Sequence, residues 1–238
     1  MFFLTEPHPC SYLPNRISST QFVEPAVTTM PLYSQLIDHG FRRSGEYVYT
    51  PACQSCQSCI AIRLAVEKFR PNRSQKRTIK KNDHLEMTVV KPEFKQEYYT
   101  LYIKYTQARH TDGGMDKATE EEFMKSMVSR WCKTWFVEIR DNQQLLAVAV
   151  IDELSFGLSA VYTFFDPDLR QNHLGVYGVL WSIEWVKKLN LPYYYLGYWV
   201  GGCEKMSYKN NYTPLEAYIN HEWITFDSSL ALEEYIQV

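Results

Sequence analysis

The stretch from residue 134 to residue 200 constrains the fold most tightly. Three runs rich in aliphatic, aromatic and β-branched residues, 134–140, 145–151 and 158–165, each have strand length, and the polar turn Asp141-Asn142-Gln143-Gln144 separates the first two. Such short connections join antiparallel neighbours, so the runs read as a meander. After Asp166-Pro167 the pattern becomes a helix over about 176–189 and then a further strand, 193–200. Two helices precede the meander. Phe94, Tyr98, Leu101, Tyr102, Tyr105 and Ala108 share one helical face, and Thr119-Glu120-Glu121-Glu122 is a capping box ahead of Phe123, Met127 and Trp131. Consecutive strands set among helices place the chain in the α+β class.

The preceding residues read differently. Residues 1–85 carry four of the six cysteines and a strongly basic stretch, whereas residues 86–238 hold the helix and strand pattern, so a smaller N-terminal region and a larger domain are expected. Residues 31–40 have helical spacing and end on Gly40, a usual residue just past a helix end, and 41–49 reads as a turn into a short strand. Charge divides along the chain as well. Between residues 63 and 84, eight basic residues stand against Glu67 and Asp83, making this segment +6 and the remainder −8 beneath a net charge of −2. A protein basic all over is excluded, but a local contact with phosphates is not. With no basic leader followed by roughly 7–15 apolar residues, and no run of about 18, a cytoplasmic protein without membrane contact is expected. In that reducing compartment, clustered cysteines point to metal or catalysis rather than to disulfides.

Four groups of residues could carry chemistry. Cys53-x-x-Cys56-x-x-Cys59, with Cys10 upstream, supplies four sulfurs for a zinc ion or an iron–sulfur cluster; the alternative is a set of small buried hydrophobes. Arg70, Arg73, Lys76, Arg77, Lys80 and Lys81 form a strip suited to RNA phosphates. A solvated helix face is the plainer reading, weakened by the lack of acids four residues away. Arg109 and His110 end a helix ahead of Gly113-Gly114, either capping its carbonyls or facing a cleft as anion clamp and proton carrier. Lys205 and Lys209 follow Gly201-Gly202 at a spacing that would put both ammonium groups on one face of a helix, suited to a carboxylate or phosphate; surface lysines are the plainer reading, weakened by the adjacent aromatics. Cys132 and Cys203 read as core thiols.

These segments together resemble the bacterial aspartate/glutamate leucyltransferases, relatives of the eukaryotic arginyl-tRNA–protein transferases. The resemblance is carried by Pro9-Cys10-Ser11-Tyr12-Leu13-Pro14, Gly40-Phe41-Arg42-Arg43-Ser44-Gly45, the Cys53 to Arg63 stretch and Ser74-Gln75-Lys76-Arg77. It continues through Arg109-His110-Thr111-Asp112-Gly113, Tyr162-Thr163-Phe164-Phe165-Asp166-Pro167, Tyr195-Leu196-Gly197-Tyr198-Trp199 and Lys205-Met206-Ser207-Tyr208-Lys209. It implies leucine transfer from leucyl-tRNA to proteins beginning with Asp or Glu, marking them for degradation, on an acyltransferase domain of the GNAT type. The eukaryotic relatives carry a Cys-x-x-Cys pair and an adjacent Cys-Cys pair. Here Cys10 stands alone, with Leu13 where its partner would fall, and Cys53, Cys56 and Cys59 replace the adjacent pair.

The transfer requires no cofactor, because an aminoacyl ester is already activated and the acceptor's α-amine attacks it directly. Tyr208 and His110 are the candidates to steady the oxyanion and protonate the departing ribose oxygen. Arg109, Lys205 and Lys209 are those for the acidic first residue, and Tyr162, Phe164 and Trp199 for the walls of a leucyl pocket. Two other readings compete. An N-acetyltransferase would need acetyl-CoA at the loop from Arg170 to Gly178, where the spacing of Arg and Gly departs from the R/Q-x-x-G-x-G/A pattern. A non-catalytic RNA-binding protein with a structural metal leaves the two Gly-Gly loops without purpose.

Overall fold

The computed structural model describes residues 1–109 and 115–237. In chain order its strands are β1 (Phe2–Leu4), β2 (His8–Pro9), β3 (Ile17–Ser18), β4 (Thr20–Val23), β5 (Arg42–Ser44), β6 (Tyr47–Pro51), β7 (Cys59–Ala65), β8 (Glu86–Val90), β9 (Lys133–Asp141), β10 (Gln144–Leu154), β11 (Gly157–Phe165), β12 (Tyr193–Val200), β13 (Leu215–Ile219) and β14 (Glu222–Phe226). The helices are α1 (Met30–Ile37), α2 (Arg73–Lys81), α3 (Gln96–Arg109), α4 (Glu120–Met127), α5 (Leu174–Lys188) and α6 (Ser229–Gln237). This is an α+β fold. The expected meander is β9, β10 and β11, and the capping box of α4 forms with both of its hydrogen bonds.

An eight-stranded sheet in the order β14-β13-β7-β12-β11-β10-β9-β8 frames the molecule, and a four-stranded sheet β1-β4-β6-β5 lies beside it. Alternation along β10 explains the layering. Val148 and Val150 face a cluster with Tyr98, Tyr102 and Phe123 from α3 and α4, while Ala149 and Ile151 join the cluster under Leu180, Ile183 and Val186 of α5. Trp131, expected to continue the α4 face, instead lies past the helix and packs edge-on against Tyr33 of α1.

One strand crosses the expected division at residue 85. β7 belongs to the N-terminal residues, yet it pairs with β12 on one side and β13 on the other, in the middle of the large sheet. Ile60, Ile62 and Leu64 enter the main core on one face. On the other, Arg63 is held by Asp38 at 2.6 Å and Glu216 at 2.7 Å and stacks on Tyr193 and Trp223. The two sheets are also joined through Arg43 of β5, whose Nε and Nη2 donate to the two oxygens of Asp152 on β10 at 2.6 and 2.7 Å.

The join between β11 and β12 positions the site. These strands run parallel and pair only over Gly157, Leu158 and Ser159 with Tyr193, Tyr194 and Tyr195. Past that point their pairing ends and a wedge opens. Gly197 marks it on β12: the register against β7 shifts there, and its φ of +87° is one that a side chain would strain.

Candidate functional site

Where β11 and β12 part, main-chain oxygens lose their strand partners, and two cations supply donors instead. Arg42 Nη2, from β5, donates to Ala160 O at 2.7 Å, and Lys209 Nζ donates to Tyr198 O at 2.9 Å. Both crowd the space over Gly197: a Cβ there would lie 3.3 Å from Lys209 Nζ and 3.4 Å from Arg42 Nη2. Burial first, and then the Arg42 charge, depress the Lys209 pKa to about 7. Lys209 belongs to a 3-10 segment, Glu204–Asn211, not to an α-helix. With about three residues per turn, positions four apart diverge, so Lys205 is exposed while Lys209 turns inward. The expected pairing of Lys205 with Lys209 is therefore not formed.

Tyr208 precedes Lys209 on the same segment. Desolvation, assisted by Tyr105 and Tyr194, raises its phenol above the ordinary value, with Arg109 opposing, so the hydroxyl keeps its proton at neutral pH. Arg109 ends α3, exposed, and acts on the phenols of Tyr105 and Tyr162 as well. These side chains thus lie near one another, with the rings of Tyr105 and Tyr162 6.3 Å apart. The Tyr162 hydroxyl is buried and has no hydrogen-bond partner among the described residues. His110 lies outside the described residues.

The basic stretch forms α2, whose start is fixed by a capping box between Asn72 and Gln75. Arg73, Lys76, Arg77, Lys80 and Lys81 are all exposed. Lys81 reaches Gln171 O, and Arg70 donates to Glu67 O and Phe69 O. Among the described residues none of these six cations pairs with a carboxylate. At the first turn of α2 a cavity of about 300 Å³ is bounded by Asn72, Gln75, His173, Tyr208 and Tyr212. His173 is the N-cap of α5, in a left-handed conformation with no side-chain cap bond, and the hydroxyl of Tyr212 is buried without a partner among the described residues. Tyr208 thus lines this cavity and precedes Lys209 of the wedge along the chain.

The expected leucyl pocket is not assembled. Phe164 is fully buried against Tyr102 and Phe123, whereas Trp199 sits in the cluster under α5 and bounds a separate cavity of about 550 Å³ with Gly201 and Cys203. Only Tyr162 of the three lies beside Tyr105 and Arg109. The cysteines lie close enough that burial, with Cys10, Cys53, Cys56 and Cys203, pushes the Cys59 thiol up to about 12. They do not converge on a point, however. Cys53 reaches Ser18 and Ser19, Cys56 bonds Ser58, and among the described residues no three Cys, His, Asp or Glu stand together to hold a metal. As arranged, the residues do not fit the expected zinc ion or cluster.

Two family models match the chain: "Arginine-tRNA-protein transferase, N terminus" over residues 8–77 and "Arginine-tRNA-protein transferase, C terminus" over residues 97–219. A Saccharophagus degradans protein called aspartate/glutamate leucyltransferase is 50% identical over 94% of this chain and 96% of its own length. The chain belongs to the aspartate/glutamate leucyltransferases. Family members from Alcanivorax borkumensis and Hahella chejuensis are 49% and 45% identical, over 93% and 94% of this chain and 92% and 97% of theirs. Among solved structures, "The structure of L-PGS from Bacillus licheniformis" superposes with a TM-score of 0.47 at 11% identity, over 60% of this chain and 47% of that one, too weakly to argue from.

Within this leucyltransferase framework Arg42 is the site residue that sequence reasoning passed over. A signal was present: in Phe41-Arg42-Arg43-Ser44 two successive arginines on one strand must point to opposite faces. One meets Asp152, and the other the wedge.

Proposed function

We propose that the chain transfers leucine from leucyl-tRNA to the α-amine of proteins beginning with Asp or Glu, marking them for degradation, in the cytoplasm. The observation that carries this reading is its collinearity with an aspartate/glutamate leucyltransferase at 50% identity over 94% of the chain. None of the described helices is long and apolar enough to cross a membrane. The wedge between the parallel strands β11 and β12, with α5 between them in sequence, supports a GNAT-like arrangement of the large sheet.

The exposed face of α2 binds the tRNA backbone through Arg73, Lys76, Arg77, Lys80 and Lys81, with Arg70 beside it. It leads to the cavity between the starts of α2 and α5, where the aminoacylated end enters beside Tyr208. There the acceptor's neutral amine, with an ordinary pKa of about 7.7–8.0, attacks the ester carbonyl. As the amide bond forms the ester C–O bond to the ribose breaks; the phenol of Tyr208 gives its proton to the departing ribose oxygen and takes up the one released by the amine nitrogen. Arg109 adds positive charge near this phenol. No covalent enzyme intermediate is needed.

The test is transfer of labelled leucine from leucyl-tRNA to peptides beginning with Asp, Glu or Ala. Label in the first two alone is expected. Label in none overturns the reading, and equal label in all three overturns its acidic specificity.

A further inference from the structure

Charged groups taken out of water are normally met by opposite charge. Two arginines here obey that rule: Arg43 meets Asp152, and Arg63 meets Asp38 and Glu216. Arg42 and Lys209 do not. Arg42 is only 6% exposed, and its neighbour Lys209 is partly buried, yet among the described residues neither touches a carboxylate; each has one main-chain oxygen as its partner. Two desolvated cations over one side-chain-free glycine are costly unless an anion sometimes lies between them. The depressed Lys209 pKa is the imprint of that cost.

We propose that Arg42 and Lys209 together bind the side-chain carboxylate of the acceptor's first residue, an inference that rests on leucyl transfer to Asp and Glu as the reaction. A carboxylate is planar and offers two oxygens. Arg42 has Nε and Nη1 without hydrogen-bond partners among the described residues, and Lys209 brings an ammonium group on a flexible stem. That flexibility absorbs the one-methylene difference between Asp and Glu. Gly197 lets the two cations close over the strand, since any side chain there would meet both within 3.5 Å. The position suits the reaction: Tyr208, which faces the cavity where the tRNA end enters, is the residue next to Lys209. An acceptor anchored by its first side chain at Lys209 thus presents its α-amine toward Tyr208. A phosphate of the tRNA is the other anion that could meet two cations, but the exposed, unpaired strip for phosphates is α2, on the far side of that cavity.

The decisive experiment compares steady-state kinetics for Asp-initiated peptides and their Asn-initiated isosteres, with full-length wild type, Lys209→Gln, Lys209→Arg and Arg42→Lys. Circular dichroism and thermal melts establish that each variant is folded. In Lys209→Gln the KM for the Asp peptide should rise about tenfold to a hundredfold, as expected when a hydrogen bond to a charged group is removed, and the Asp over Asn preference should shrink by the same factor. Lys209→Arg should keep most of the preference, and Arg42→Lys, which retains charge but not the planar fork, should keep only part of it. An unchanged preference in folded Lys209→Gln and Arg42→Lys overturns the proposal, as does a rise in KM confined to leucyl-tRNA, which would give the pair to the nucleic acid. Absence of any transfer by the wild-type protein overturns the leucyl-transfer reading itself, and the clamp with it. That result differs from an active enzyme whose variants ignore the carboxylate.

Discussion

Lys209 carries a consequence in pH. With a pKa of about 7, set by burial and by Arg42 and opposed by Cys203, it is charged below neutrality and loses its proton as pH rises above 7. Beside it stand Arg42 of β5 and Cys203 at the head of its own segment, and Arg42 in turn acts on the phenols of Tyr198 on β12 and Tyr49 on β6, both pushed above their ordinary values by burial. Because a carboxylate binds the charged form, binding is complete below pH 7 and weakens above it. The KM for an Asp-initiated peptide should then climb above pH 7 by up to about tenfold per unit, while kcat rises as the acceptor amine loses its proton. In Lys209→Arg, whose guanidinium stays charged, the climb in KM should vanish. Pre-steady-state or initial-rate measurements from pH 6 to 9 check this, and a climb that persists in the arginine variant would remove Lys209 as its source.

At the scale of elements, α2 is the clearest division of labour. It is anchored from below and open above: Gln75 and Thr78 are buried, Gln75 Nε2 donates to Asn211 O, and the basic residues point outward. Replacing Lys76 and Lys80 by Gln should leave the helical signal in circular dichroism unchanged while raising the KM for leucyl-tRNA. The dependence of log affinity on log salt should become shallower by roughly 0.7–0.9 for each phosphate no longer neutralised, and an unaltered salt slope would exclude α2 from the tRNA path. The charge of this element is plain in the primary structure, because five basic residues and no acid within nine positions need no partner to be noticed. β7 is less visible. Its apolar run follows three cysteines and contains an arginine, so its alternation is masked, and its central position comes from pairing with β12 and β13, which lie far along the chain.

For the whole molecule the Arg43–Asp152 pair is the most consequential single link between the two sheets. Both side chains are fully buried, and Arg43 also donates to Gly45 O and Met127 O while Thr134 donates to Asp152. Arg43→Met leaves a buried carboxylate unpaired and should cost about 3–5 kcal/mol in urea denaturation, most of it recovered when Asp152 is replaced by Leu as well. An additive destabilisation in the double variant would show that the two do not act as a pair. The residue sequence by itself determined what depends on neighbours along the chain: the capped α4, the tyrosine face of α3, the meander, the basic run and, through collinear motifs, the family. Only the tertiary structure decided that Arg42 reaches a carbonyl 118 positions away, that Lys209 and not Lys205 turns inward, that Phe164 is core while Trp199 bounds a separate cavity, and that the four cysteines fail to converge. Periodicity and caps are written in residues a turn apart. Which cation fills the gap between two parting strands is written only in how distant segments pair, and a shift of one residue in that pairing would point each side chain to the opposite face.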